Sequence, residues 1–261
     1  MMKSLFRELR AAPPLNASRE NALSGGIWLW LPLGALAITL ILRAWDEAVY
    51  VWWINDELGP GENLTAALFF ISALLAGVMA RTLYRARMPI IGGGFILLAV
   101  AAFFVCGEEM SWGQHLFQWS TPEWVGELNK QNETNLHNMA ERALDQKPRA
   151  VMAILALLFG AIVPFLLKKG RLQSLRKLPM IYWLVPSTAL IPAALCVFVP
   201  RLFDRATVLL GASLPHPFNL STRHHQELQE LMISIFLFLY LLDLVRRVAA
   251  RRKASESLTA A

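Results

Sequence analysis

Several stretches of about 18–22 residues in this chain carry no charged side chain, which is the length an α-helix needs to cross a bilayer at about 1.5 Å per residue. Within a bilayer no water is present to satisfy backbone N–H and C=O groups, so such stretches are held to the helix. With 56% of its 261 residues hydrophobic, the chain is too apolar for an ordinary soluble domain of this size. The pattern predicts an all-α, polytopic membrane protein with six transmembrane helices, at 27–44, 64–80, 89–106, 151–167, 180–199 and 231–245. Short interfacial helices are expected in the loops on one side. Residues 1–26 read as a polar N-terminal segment, 27–245 as a single membrane domain and 246–261 as a basic tail.

Charge alternates between the connecting segments. The N-terminal segment carries Lys3, Arg7, Arg10 and Arg19, and the loop after the second span carries Arg81, Arg85 and Arg87. The loop after the fourth has Lys168, Lys169, Arg171, Arg176 and Lys177, and the tail has Arg246, Arg247, Arg251, Arg252 and Lys253. The loop after the first span has only acids: Asp46, Glu47, Asp56, Glu57 and Glu62. Positive charge marks the cytoplasmic side. Both termini are therefore expected in the cytoplasm, with outer segments at about 45–62, 107–149 and 200–229. The formal net charge of +6 sits beside apolar runs, where it reports topology, and the spans argue against a nucleic-acid partner. The expected partner is the lipid bilayer. The first 25 residues lack the apolar core of a signal peptide and are kept in the mature chain. Cys106 and Cys196, each near a span end, read as buried thiols.

All five histidines, His115, His137, His216, His224 and His225, fall in the outer segments. Three elements there carry chemistry. The first is Gly107-Glu-Glu-Met-Ser-Trp-Gly-Gln-His115. If the third helix ran on, Glu108, Ser111 or Trp112, and His115 would share a stripe, and Gly113 is a place for that helix to break. Glu109 faces elsewhere, so the acidic pair divides its tasks. The second is Gln131-Asn-Glu-Thr-Asn-Leu-His-Asn138, following a helix expected to open at Thr121-Pro122-Glu123, with a further helix expected from 134 to about 144. Its amides suit a polar headgroup or simply loop backbone. The third is the run 221–230, where His224, Glu227 and Glu230, then Ser234, line one stripe of the sixth helix. Glu230 stands at the edge of the hydrocarbon and needs a partner, a proton or an ion.

The run Glu108-Glu-Met-Ser-Trp-Gly-Gln114, with Thr121-Pro-Glu123 and Gln131-Asn-Glu-Thr-Asn-Leu-His-Asn138, resembles a family of bacterial multi-pass integral membrane proteins. The resemblance covers about 30 residues well; it implies the bacterial inner membrane and supplies no mechanism. A looser likeness is to the ceramidase-like membrane hydrolases, whose zinc site uses histidines, an aspartate and a nearby serine. Ser111, His115, His224 and His225 match that idea, but the paired histidines four apart are missing and those proteins have seven spans. The likeness ranks hydrolysis first among reactions.

These observations predict an enzyme acting on a lipid-linked substrate at the outer interface. Glu108, Glu109, Ser111, Glu227 and Glu230 would be its acid–base or nucleophilic groups. His115, His137, His224 and His225 would be ligands to a divalent metal such as zinc, and Trp112, Gln114, Asn132, Asn135 and Asn138 would be substrate contacts. The spacing matches no established metal motif, so a structural network, with Arg142, Lys147, Arg201, Arg205 and Arg223 as counter-charges, stands beside that expectation. The alternatives are a non-catalytic membrane component that binds a partner or lipid through its Trp-rich loop, and a carrier. For a carrier only Asp243, in the sixth span, is out of place.

Overall fold

The computed structural model describes residues 25–55, 59–126, 133–135, 147–172, 184–220 and 222–260. Every regular element among them is helical: α1 (Trp30–Trp45), α2 (Glu47–Asn55), α3 (Pro60–Arg85), α4 (Pro89–Glu109), α5 (Lys147–Lys168), α6 (Ile191–Cys196), α7 (Val199–Leu210) and α8 (Thr222–Ala260). Four are long and apolar enough to cross a membrane: α3, α4, α5 and, within α8, His224–Ala250. The apolar helix α1 is shorter, at 16 residues.

Proline sets several boundaries. Pro60 and Pro89 open α3 and α4, where a missing N–H costs nothing. Glu62 in the first turn and Arg85 in the last complement the dipole of α3. The α3–α4 turn is closed by Met88 N–H donating to Leu83 O at 2.9 Å and Arg87 N–H to Tyr84 O at 3.0 Å, with Arg87 left-handed at φ 56°. That is the helix-end geometry in which glycine is the usual occupant. Pro164 does not stop α5; residues Ala156–Ile162 widen into a π-helical stretch that absorbs the ring and the lost hydrogen bond.

The span expected at 180–199 is not one helix in its described part. Val185, Pro186 and Ser187 are non-helical, a 3-10 turn covers Thr188–Leu190, and α6 begins only at Ile191. Pro186 removes an N–H, and the residue before a proline is pushed out of the α region, so the break follows from the sequence.

The helix α8 is the centre of the bundle. Leu228, Leu231, Ile235, Leu239, Leu241 and Leu244 are buried along it, and the helix packs against α3 above all. By contrast Leu74, Val78, Ile90, Leu97, Val100, Phe103, Ile154 and Phe159 stand exposed on the long helices, an apolar exterior suited to lipid. Cys106 and Cys196 are free and buried.

Candidate functional site

The helix α4 ends at Glu109, and the chain then turns sharply. Ser111, Trp112 and Gly113 all have positive φ, at 44°, 55° and 87°. For serine and tryptophan this conformation costs about 1–2 kcal/mol per residue. The turn is held by what it packs. The Trp112 ring folds back over Gly107, where a Cβ would lie 2.8 Å from it, and Trp112 Nε1–H donates to Glu108 Oε1 at 2.7 Å. Glu108 is buried, so this bond meets part of its need for a partner. The stripe expected for a continuous helix does not form; the break spans 111–113 and sets Ser111 at the turn.

Against this turn lies the segment Glu133-Thr134-Asn135. Ser111 Oγ–H donates to Glu133 Oε2 at 3.0 Å. Asn135 Nδ2 donates to Ser111 Oγ at 3.0 Å, and also to Glu133 Oε2. Glu133 Oε1 faces His115 Nε2 at 3.7 Å. Ser111, Glu133 and Asn135 are 3%, 4% and 1% exposed. Gln114 and Thr134 close the arrangement. Gln114 Oε1 accepts from Thr134 N–H at 2.7 Å and from its hydroxyl at 2.9 Å, while Gln114 Nε2 donates to Thr121 Oγ1 at 2.8 Å. Beside it, Phe117 and Trp119 stack at 5.8 Å and are both exposed, an apolar flank at the end of the bundle.

A second group lies on the other face of α4. Glu109 shares its electrostatic surroundings with Glu62 of α3, Glu227 and Glu230 of α8, and Arg149 of α5. Arg149 Nε and Glu230 Oε1 are 2.9 Å apart, with side chains 9% and 21% exposed. Four carboxylates from three helices thus gather at Glu109, with Arg149 among them.

Flanking pairs tie the same end together. Arg43 donates to Glu47 Oε1 at 3.0 Å and to Asn219 O at 3.0 Å, and its guanidinium lies 4.8 Å from the Tyr50 ring centre. Burial pushes the Tyr50 phenol up to about 12, with Arg43 working in the opposite direction. His224 meets Tyr50 edge-on at 5.0 Å. His225 Nδ1 stands 4.0 Å from Asp204 Oδ1 on α7.

Ser111, His115, Gln114 and Asn135 are therefore brought together. Trp112 and Glu108 adjoin them, and Glu109, Glu227 and Glu230 form the neighbouring group. His224 and His225 belong to separate contacts. Among the described residues no group of three or more His, Cys, Asp or Glu is placed to hold a metal ion. Asn132, His137 and Asn138 lie outside the described residues, as do Ser221 and nearly all of the helix expected at 134–144; Thr134 and Asn135 are not helical. The helix expected from Pro122 is described over Glu123–Gly126.

Four participants were not marked by sequence. Glu133 was hidden among amides, and Arg149 looked like an ordinary charge flanking an apolar run. Glu62 looked like a solvated helix end, and nothing in the sequence set Tyr50 apart. No family model, curated protein or solved structure matches this chain.

Proposed function

We propose that this chain is a six-pass protein of the bacterial inner membrane with both termini cytoplasmic. At its outer interface it performs acyl or related group transfer, hydrolysis first, on a lipid-linked substrate. The observation that supports this reading most is the hydroxyl of Ser111. It sits on a strained turn and points its proton at a buried carboxylate, Glu133 Oε2, at 3.0 Å. A serine becomes a nucleophile when a neighbouring base takes its proton. Glu133 is that base, Asn135 orients both groups, and His115 stands 3.7 Å from the other oxygen. Strained backbone of this kind gathers at functional sites. The exposed Phe117–Trp119 pair offers an apolar wall for an acyl chain. The group around Glu109 supplies further carboxylates for proton transfer at the same interface.

The test is a comparison of lipids. The protein is reconstituted in nanodiscs of bacterial lipid extract, and the lipids are followed by mass spectrometry. Wild type is expected to consume one lipid class, Ser111→Ala to leave it intact, and Glu133→Gln to slow its loss by about 10²-fold or more. Identical lipid profiles for wild type and Ser111→Ala contradict the proposal. A second reading is favoured by the depth of the same network: Ser111, Gln114 and Thr134 fasten the 133–135 segment to the helix end. A non-catalytic component that presents its Trp-rich loop to a partner or lipid needs such a fastening.

A further inference from the structure

At the opposite end of the bundle, three side chains of α8 reach across to the broken helix at 185–187. Tyr240, Asp243 and Arg247 stand three and four residues apart, so they share one face. Tyr240 Oη–H donates to Leu184 O at 3.1 Å, and Arg247 Nη1 donates to Val185 O at 3.0 Å. Asp243 Oδ2 accepts from Ser187 N–H at 3.1 Å and from Arg247 Nη2. Side chains of α8 thus replace the backbone partners that Pro186 denies this segment.

Two atoms remain over. Asp243 Oδ1 and Ser187 Oγ are both buried with no hydrogen-bond partner, in residues 0% and 6% exposed. A carboxylate offers about four lone-pair positions, and here those of one whole oxygen are unspent. The unspent capacity is mostly acceptor: Asp243 Oδ1 and the Ser187 hydroxyl oxygen. The guest that fits is electropositive, small and served by hard oxygen ligands. Asp243 already shares its charge with Arg247, so a divalent ion would leave two uncompensated charges inside the bundle, and a monovalent ion leaves one. Unwound helical segments with a nearby carboxylate are where membrane proteins bind such ions.

We propose that Asp243 Oδ1 and Ser187 Oγ, beside the break, are ligands of a binding site for one sodium-class monovalent cation. Arg247 is the tethered counter-charge that holds Asp243 in place on its other oxygen. The site is independent of the chemistry at Ser111.

The experiment is thermal unfolding of the purified full chain in detergent, in sodium chloride against choline chloride at equal ionic strength. An ion that binds only the folded state raises the midpoint; at about a hundred times its dissociation constant the rise is about 5–10 °C. Ser187→Ala removes one ligand with little effect on folding, and should raise the half-saturating sodium concentration about tenfold. Asp243→Asn should abolish the sodium increment. Equal wild-type midpoints in sodium and choline overturn the proposal and leave a buried water as the occupant. A sodium increment unchanged in Ser187→Ala also overturns it, by placing the ion elsewhere.

Discussion

Arg149→Leu tests how the carboxylate group is held. At 2.9 Å and an effective dielectric of about 20, the attraction between Arg149 and Glu230 is about 6 kcal/mol. Desolvating both groups offsets much of it, so the intact pair contributes little net stability. Removing one partner is different, because the other stays buried and uncompensated. That costs about 3 kcal/mol. Here Glu62 and Glu227 add to the uncompensated charge around Glu109. The unfolding midpoint in detergent, followed by tryptophan fluorescence, should fall by about 6–12 °C at about 2–4 °C per kcal/mol. Glu230→Gln alone removes one of four acids and should cost less. The combination of the two should recover much of the loss, giving a coupling of about 2 kcal/mol or more in a double-mutant cycle. Losses that add within about 0.5 kcal/mol would refute the claim that Arg149 compensates this group.

Raising the pH should destabilise the fold through Tyr50: its phenol titrates at about 12 against 10.0 unperturbed, so the neutral form is the folded one. Stability is whole below about 10 and falls as pH rises through about 12, by about 2–3 kcal/mol in total, and Tyr50→Phe should remove this component, as read by tyrosinate absorbance alongside unfolding. Arg87→Gly should stabilise by about 0.5–1 kcal/mol in thermal unfolding, because Arg87 holds φ 56° at a helix end where glycine carries no Cβ penalty. Gly160→Ala should destabilise by about 1–3 kcal/mol, since its Cβ would meet the Phe236 ring at 2.6 Å and Ala194 Cβ at 2.8 Å. Gly34→Ala, with nothing within 4 Å, should instead gain about 0.5–1 kcal/mol.

Periodicity and apolar length made the helical class and the long helices legible, because a bilayer leaves the backbone so few choices. Charge-free runs do not report continuity, however. The stretch around Val185–Ser187 is as apolar as its neighbours, yet Pro186 breaks it and Asp243 and Arg247 hold the break. Asp243 looked out of place in sequence because one of its two partners, Ser187, lies 56 residues away. At the other end, α4 stops at Glu109, before the Gly113 expected to break it, and the left-handed turn takes in Ser111 and Trp112 as well as Gly113, which no residue preference would foretell. That turn exists because Trp112 has Gly107 and Glu108 to settle on and Ser111 has Glu133. Such reasons are tertiary. Glu133 and Arg149 were missed on the same ground: burial, which gives each its importance, is not written in its own neighbourhood of the chain. The imidazoles shared a side in sequence, but His115, His224 and His225 each settled on a different acidic or aromatic neighbour.

The most direct test of the account asks whether Ser111 is a nucleophile activated by Glu133. Native membranes containing the protein are treated with a fluorophosphonate probe, and the adduct is mapped by peptide mass spectrometry. The account expects a phosphonyl adduct on Ser111, absent in Ser111→Ala and formed about 10²-fold more slowly in Glu133→Gln. A wild-type protein that is folded and leaves Ser111 unlabelled, or a Glu133→Gln variant labelled at the wild-type rate, would contradict it.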